Sequence, residues 1–521
     1  MVRVACLLVV ILFAIRSEGS IGMNWGRQSA QRLIPSTVVD LMLQNGIGDV
    51  RIYSSQPDIL EAFAGSGINI TVQIMFLNII NSTQQARDWV GQKIDPVYYS
   101  TNIRRIFLGN HEFKPALKTG GNTSSAEAAL DLMELMQSAL NNASYGDQIK
   151  VTLPHPDIVI TNVTRPSYAE FRSEIKEPMA RHLSLLRQSN APFVAEVFPI
   201  EYIKFHPWLD FSFAFADNKS KTVIRDINGA VYTNIFDYLY DCFVWALRKA
   251  GAPDQEIVVS QIGWPTDGYP GADAATAERF YKYLLPHVAS GRGTPMRPGK
   301  PIEIFVHCLT DEPKNPFSYP FARHWGIYRS NGEPKFKIDL SGQGRDIYPV
   351  RAKGIMRMPQ RWCVFNGDTR DEFKVKAQFD DACQRADCTS LSPSGSCSQL
   401  DYNKNVSYAF NMYFQSMFQN ETSCEFDGLG EVVPTDPSEG SCVFPVEVVR
   451  GQQINFDTDA AGERLYYLHP NKCVAMSKSE SRLRNQVVSA MAFATTRYSA
   501  FAIDQEVVTC RSEDQEMRLL P

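Results

Sequence analysis

The sequence predicts an α/β protein, an eight-stranded β/α barrel followed by a small disulfide-rich domain. Three observations carry that reading. A chain of 521 residues exceeds the size at which one hydrophobic core keeps growing, so at least two domains are expected. Between residues 21 and 310, short β-branched or aromatic runs alternate with stretches long enough for a helix. Cys363, Cys383, Cys388, Cys397, Cys424 and Cys442 then crowd into eighty residues, the density of a module stapled by bridges.

The first segment, residues 1–19, reads as a secretory signal peptide. Arg3 supplies the positive start, Ala5 to Ile15 an apolar run of 11, and Ser17-Glu18-Gly19 a small-x-small cleavage pattern. Such a run is shorter than the ~17–25 apolar residues that span a bilayer. Asn-x-Ser/Thr sequons at Asn69, Asn81, Asn122, Asn142, Asn162, Asn218, Asn405 and Asn420 fit a glycosylated secreted chain.

The barrel is expected over residues 20–342. Its strands are read at 21–25, 49–53, 69–74, 103–108, 148–153, 193–198, 256–262 and 302–306. The stretch from Ser125 to Asn141, with Ala129, Leu132, Met133, Met136 and Leu140 at helical spacing, reads as a crossover helix. Eight strands in about 300 residues fit a closed barrel better than an open sheet, and chemistry in such a barrel lies where each strand ends. Residues 343–360 lose apolar periodicity and read as a linker, 361–445 as the cysteine module, and 446–521 as a C-terminal extension. Cys473 and Cys510 in that extension leave their pairing open.

Charge excludes some functions. Fifty-two basic against 57 acidic side chains, with no long Lys/Arg block, argue against nucleic acid or a polybasic membrane anchor. The run from Val487 to Ile503 is interrupted by Arg497 and reads as neither a transmembrane span nor an anchor signal. No Cys-x-x-Cys or His-x-x-x-His pair is present, so neither a metal nor another cofactor is expected.

Ile21-Gly-Met-Asn-Trp-Gly26, Ala191-Pro-Phe193, Ile262-Gly-Trp-Pro-Thr-Asp-Gly268, Gly293-Thr-Pro295 with Arg297-Pro-Gly299, and Arg323-His-Trp-Gly-Ile327 occur in chain order. Together they resemble plant glycoside hydrolase family 17, the endo-β-1,3-glucanases. Trp362-Cys-Val364, the following cysteines and Asn405-Val-Ser-Tyr-Ala-Phe-Asn411 resemble carbohydrate-binding module family 43. The resemblance implies a β/α (TIM) barrel, β-1,3-glucan as ligand, and bridges Cys363–Cys424, Cys383–Cys442 and Cys388–Cys397.

Family 17 enzymes retain configuration with a carboxylic acid and a carboxylate nucleophile. The acid of the family's Gly-Asn-Glu-Pro falls on His111 here, after Gly109-Asn110, and the nucleophile of Gly-Glu-Ile-Gly-Trp-Pro falls on Gln261. A neutral amide is a poor nucleophile and supplies no charge to an oxocarbenium-like transition state. Glu112 follows His111 and is expected to face the other way. Further departures occur. The second strand ends Tyr53-Ser-Ser-Gln56 without an Asp, the sixth strand's Asn-Ile-Tyr-Pro reads Glu196-Val-Phe198-Pro199, and the eighth loop's Asp-Glu-Asp-x-Lys reads Thr310-Asp311-Glu312-Pro-Lys314.

The resemblance therefore implies a glucan cleft lined by Tyr53, Asn110, Phe198, Trp264, Asp311 and Lys314, with His111 and Gln261 at the catalytic positions but non-functional. Trp264 has two readings, a sugar platform or a packed rim residue. Trp325, Trp362 and His324 read as structural. The leading expectation is a secreted, extracellular and cell-wall protein, with the plasma membrane as a further place of association, that binds callose-like β-1,3-glucan without cutting it. The alternatives are an active endo-β-1,3-glucanase, with His111 as acid and Glu196, Glu112 or Asp311 as relocated carboxylate, and an interaction scaffold indifferent to sugar.

Overall fold

The computed structural model describes residues 19–29, 33–75, 77, 80–227, 229–315 and 320–449, with short strands at 457–458, 464–465, 473–476, 498–503 and 506–511. The expected signal peptide lies outside the described residues apart from Gly19. Nine parallel strand segments form one sheet: β1 (Ser20–Trp25), β2 (Asp49–Ile52), β3 (Asn69–Ile74), β4 (Asn102–Leu108), β5 (Lys150–Thr152), β6 (Pro154–Pro156), β7 (Phe193–Val197), β8 (Ile257–Ile262) and β9 (Glu303–Val306). Their order is β5-β4-β3-β2-β1-β9-β8-β7-β6. Only Leu153 separates β5 from β6, so the two ends of the sheet are one interrupted stave and the sheet nearly closes into a barrel.

The strand sequences explain this closure. Every residue of β7 and of β8 is buried, as expected for parallel strands covered by helices outside and side chains inside. The outer layer packs by helical period. The helix Ser124–Asn142 buries Ala126, Ala129, Leu132, Met133, Met136 and Leu140 on one face.

Residues 341–360 contain no helix or strand, yet they do not hang free. Tyr328 donates its hydroxyl to the Val350 carbonyl at 2.8 Å, and the Ala352 amide donates to Gly332 at 3.0 Å. This stretch is a strap laid along the barrel. Its end pairs with the end of the cysteine module, with the Met358 amide donating to the Glu447 carbonyl at 2.8 Å.

In the module, β10 (Trp362–Phe365) pairs antiparallel with β11 (Gly430–Val433), against helices Glu372–Arg385 and Tyr402–Ser416. Cys363, Phe365, Val375, Phe410, Phe414 and Phe426 form its core. Cys363 bridges Cys424 as expected. The other two implied bridges are corrected: Cys383 pairs with Cys388 and Cys397 with Cys442. Cys383 sits in the last turn of its helix, and the chain reverses at once to bring Cys388 within 5.4 Å, Cα to Cα. Cys397 and Cys442 lie 4.6 Å apart by the same measure, each within bridging range of the other. In the extension, an antiparallel pairing places Cys473 directly opposite Cys510.

Candidate active site

Toward the C-terminal ends of the strands the interior of the barrel is charged. Arg51 of β2 and Glu196 of β7 are both fully buried inside the barrel. Arg51 Nη1 donates to Glu196 Oε1 at 2.9 Å and to the Ser260 hydroxyl at 3.0 Å; its Nη2 donates to Gln73 Oε1 at 2.6 Å. Four strands thus converge on one guanidinium. The second oxygen of Glu196 is held by Nε2 of His111 in a short contact. Burial alone would raise the Glu196 pKa, but the facing His111 and Arg51 charges hold it far below the usual carboxylate value. Glu196 is therefore an ionised group with both oxygens engaged.

His111 is delivered by a strained turn. β4 ends at Leu108, and Gly109 (φ 69) and His111 (φ 68) both take left-handed backbone conformations. Gly109 is required twice over, because a Cβ there would lie 2.4 Å from Cγ of Glu112. A left-handed His costs energy that the surroundings must offset, here through the Glu196 contact and the Lys114 amide donating to the His111 carbonyl at 2.8 Å. Glu112 does face away, but through this turn rather than strand alternation. Its carboxylate accepts from the Asn110 amide at 3.0 Å and the Ser125 hydroxyl at 2.6 Å.

Gln261 stands opposite Glu196 in the β7–β8 pairing and is 8% exposed. Tyr53 packs its ring on Arg51, 4.9 Å from guanidinium carbon to ring centroid. Among the described residues its buried hydroxyl has no hydrogen-bond partner, and burial pushes its pKa up. Phe198 is half-buried with its edge toward His307 and Trp325. Asn110 is half-buried beside His111. These four and His111 are brought to one place.

Two expected cleft residues are not there. Trp264 is fully buried, its indole N–H donating to the Gly271 carbonyl at 2.8 Å and its ring packed among Phe211, Phe215 and Phe280. The chain turns inward after β8, so this tryptophan is core and not a sugar platform. Asp311 is also committed elsewhere: it accepts from Lys335 Nζ at 2.6 Å and the Gly326 amide at 2.9 Å, and it faces His324. The Lys335 and His324 charges outweigh burial and lower its pKa. Lys314 is exposed on the eighth loop, its amide donating to the Gln28 carbonyl at 2.8 Å.

The residues that sequence reasoning passed over are Arg51, Gln73 and Glu312. An Arg inside a β-branched strand was the available signal for the first, since buried arginines are nearly always paired. Glu312 lies over Gly26, where a Cβ would approach its carboxylate to 1.9 Å. Burial raises its pKa to about 7. Among the described residues, no group of three or more His, Cys, Asp or Glu is arranged to hold a metal, and no helix is long and apolar enough to cross a membrane.

The family model Glycosyl hydrolases family 17 matches residues 21–340, and the X8 domain model matches residues 361–431. The chain is similar to Glucan endo-1,3-beta-glucosidase 8 of Arabidopsis thaliana, 36% identical over 84% of this chain and 91% of the relative. Glucan endo-1,3-beta-glucosidase 5 of the same plant is 34% identical over 85% and 91%. Among solved structures, CJP38, a beta-1,3-glucanase and allergen of Cryptomeria japonica pollen, is 30% identical with a TM-score of 0.58, covering 62% of this chain and 99% of that one.

Proposed function

The chain belongs to glycosyl hydrolases family 17, and from that premise we propose that it is a secreted cell-wall protein that binds β-1,3-glucan without hydrolysing it. The observation that carries this reading is the state of the barrel's centre. The nucleophile position holds a neutral Gln261, and Glu196, the carboxylate beside it, is saturated by Arg51 and His111. A nucleophile must bring a free lone pair to the anomeric carbon, and a general acid must bring a proton to the leaving oxygen. Glu196 offers neither. His111, with Nε2 bound to Glu196, is presented as a hydrogen-bonding wall for a sugar hydroxyl.

One observation favours a second reading, residual hydrolysis. Burial raises the Glu312 pKa to about 7 while Glu196 is ionised, and carboxyls pushed apart in this way mark acid and base pairs elsewhere. Titrating the full chain with linear β-1,3-gluco-oligosaccharides while assaying new reducing ends separates the readings. Saturable binding with no new ends is expected. Release of ends that Glu312→Gln abolishes would establish the second reading, and absence of binding would refute both.

A further inference from the structure

The cysteine module meets the barrel through two carboxylates, one from each side. Asp267 follows Gln261 by six positions, on the loop leaving β8. It is 8% exposed, and its oxygens accept from the Ser390 hydroxyl at 2.9 Å, the Ser396 amide at 2.8 Å and the Ser396 hydroxyl at 2.6 Å, all in the module. Ser390 is itself fixed by the Tyr408 hydroxyl at 3.1 Å. From the other side, Asp387 of the module reaches into the barrel's eighth loop, 3.2 Å from Arg323 Nη1 and 2.9 Å from His324 Nε2. His324 lies between Asp387 and Asp311, and Asp311 is held in turn by Lys335. The result is a chain of alternating charge, Lys335, Asp311, His324, Asp387, Arg323, running through the joint, with Lys335, Asp311 and Asp387 buried and His324 and Arg323 partly so.

We propose that the module is clamped to the rim of the barrel as a fixed second wall of the cleft, so that barrel and module engage one glucan chain as a single rigid unit. Three features support this. A flexible tether would leave the facing surfaces solvated, whereas here Asp267 of the barrel and Asp387 of the module are each buried against the other unit. Asp267 lies on the loop leaving β8, six residues after Gln261, so the module is joined at the same end of the barrel as Gln261. Asp311, which the family pattern places at the sugar, is spent on the clamp instead. Two sites joined rigidly in register gain avidity that two tethered sites lose when the joint opens.

The glucan part of this inference rests on the binding reading above; the clamp does not. The test uses the full chain, the double variant Asp267→Asn/Asp387→Asn, and the module-side variant Ser390→Ala/Ser396→Ala, each checked for intact bridges by non-reducing peptide mapping. Small-angle scattering and limited proteolysis read the joint. A larger radius of gyration and new cleavage within 341–360 are expected in both variants. Affinity for a long linear β-1,3-glucan should fall about 10-fold or more, while affinity for a short oligosaccharide held by the barrel alone stays within about 2-fold. Unchanged scattering in both variants overturns the clamp. An opened joint with undiminished long-chain affinity overturns the single-unit binding. A parent chain that binds no glucan overturns the binding reading, and the scattering still decides the clamp.

Discussion

Placing glutamate at the two positions that the proposed reading assigns to the family's acid and nucleophile, His111→Glu with Gln261→Glu, tests that reading. The structure argues that this double variant stays inert. Glu196 already occupies the centre with both oxygens directed at positions 51 and 111, and Gln261 stands beside it in the neighbouring strand. The double variant would place three carboxylates around the single guanidinium of Arg51. Two like charges at ~4 Å in a medium of effective dielectric ~20 repel by about 4 kcal/mol, roughly three decades in rate if it falls on the reacting groups. One returning glutamate would be forced to share a proton with Glu196 and would not deliver it to the glycosidic oxygen. The triple variant with Glu196→Asn removes this conflict. Reducing-end release from linear β-1,3-glucan should be at least ~10³-fold higher in the triple than in the double. A double variant as active as the triple would refute the argument that Glu196 blocks the site.

Three other outcomes follow from the geometry. Trp264→Ala should lower stability by about 3–5 kcal/mol in denaturant titration, with glucan affinity altered only through unfolding, because the ring is fully buried. Glycopeptide mass spectrometry of protein from a eukaryotic host should find glycan at the exposed Asn81, Asn122, Asn142, Asn162, Asn218 and Asn420. It should find none at Asn69 or Asn405, whose amides donate to Asp49 at 2.8 Å and to the Leu400 carbonyl at 3.2 Å within a strand and a helix. The joint should loosen as pH rises. Burial would lower the His324 pKa, but Asp387 and Asp311 raise it to about 10, so its contribution is full below about 6.5 and lost through about 10. Burial, with Asp311, raises Glu447 to about 7 against the opposing Lys314 and Arg329, so its contribution is full below about 4.5 and lost through about 7. Scattering between pH 5 and pH 10 should show a growing radius; a constant radius would contradict both assignments.

The barrel was legible because its strands are continuous β-branched runs. The expected 69–74 coincides with β3, and the expected 103–108 misses β4 by one residue. The disulfide pairs were not, because six cysteines allow fifteen pairings and only the turn after the helix Glu372–Arg385 selects Cys388 for Cys383. Between the two readings of Trp264, the packed one holds for a local reason. A Gly-Trp-Pro after a strand marks the rim, but Gly263 has no room for a Cβ, which would lie 2.2 Å from the His307 carbonyl oxygen. The backbone there packs tightly and carries the indole beneath the helix Ala274–Ala289, against Phe280. His111 and Glu196 were each visible as departures from a pattern. Their pairing, across 85 positions, was not.

That pairing changes what the departures mean. Without Glu196, Arg51 would be fully buried with no anion, and an unpaired buried charge is among the most destabilising features a core can hold. Glu196 supplies the anion from the neighbouring position, and His111 engages its remaining oxygen. On the reading proposed above, the residues at 111, 196 and 261 therefore act together, and Glu196 keeps the buried guanidinium paired. Glu196→Asn alone should then destabilise the chain by about 3–5 kcal/mol, because it strands Arg51. The same substitution within the triple variant should cost less, since glutamates at 111 and 261 return negative charge to the guanidinium. Denaturant midpoints of the single and triple variants measure this directly. A single variant as stable as the parent would mean that Arg51 finds its counter-charge elsewhere, and the three changes would have to be explained one at a time.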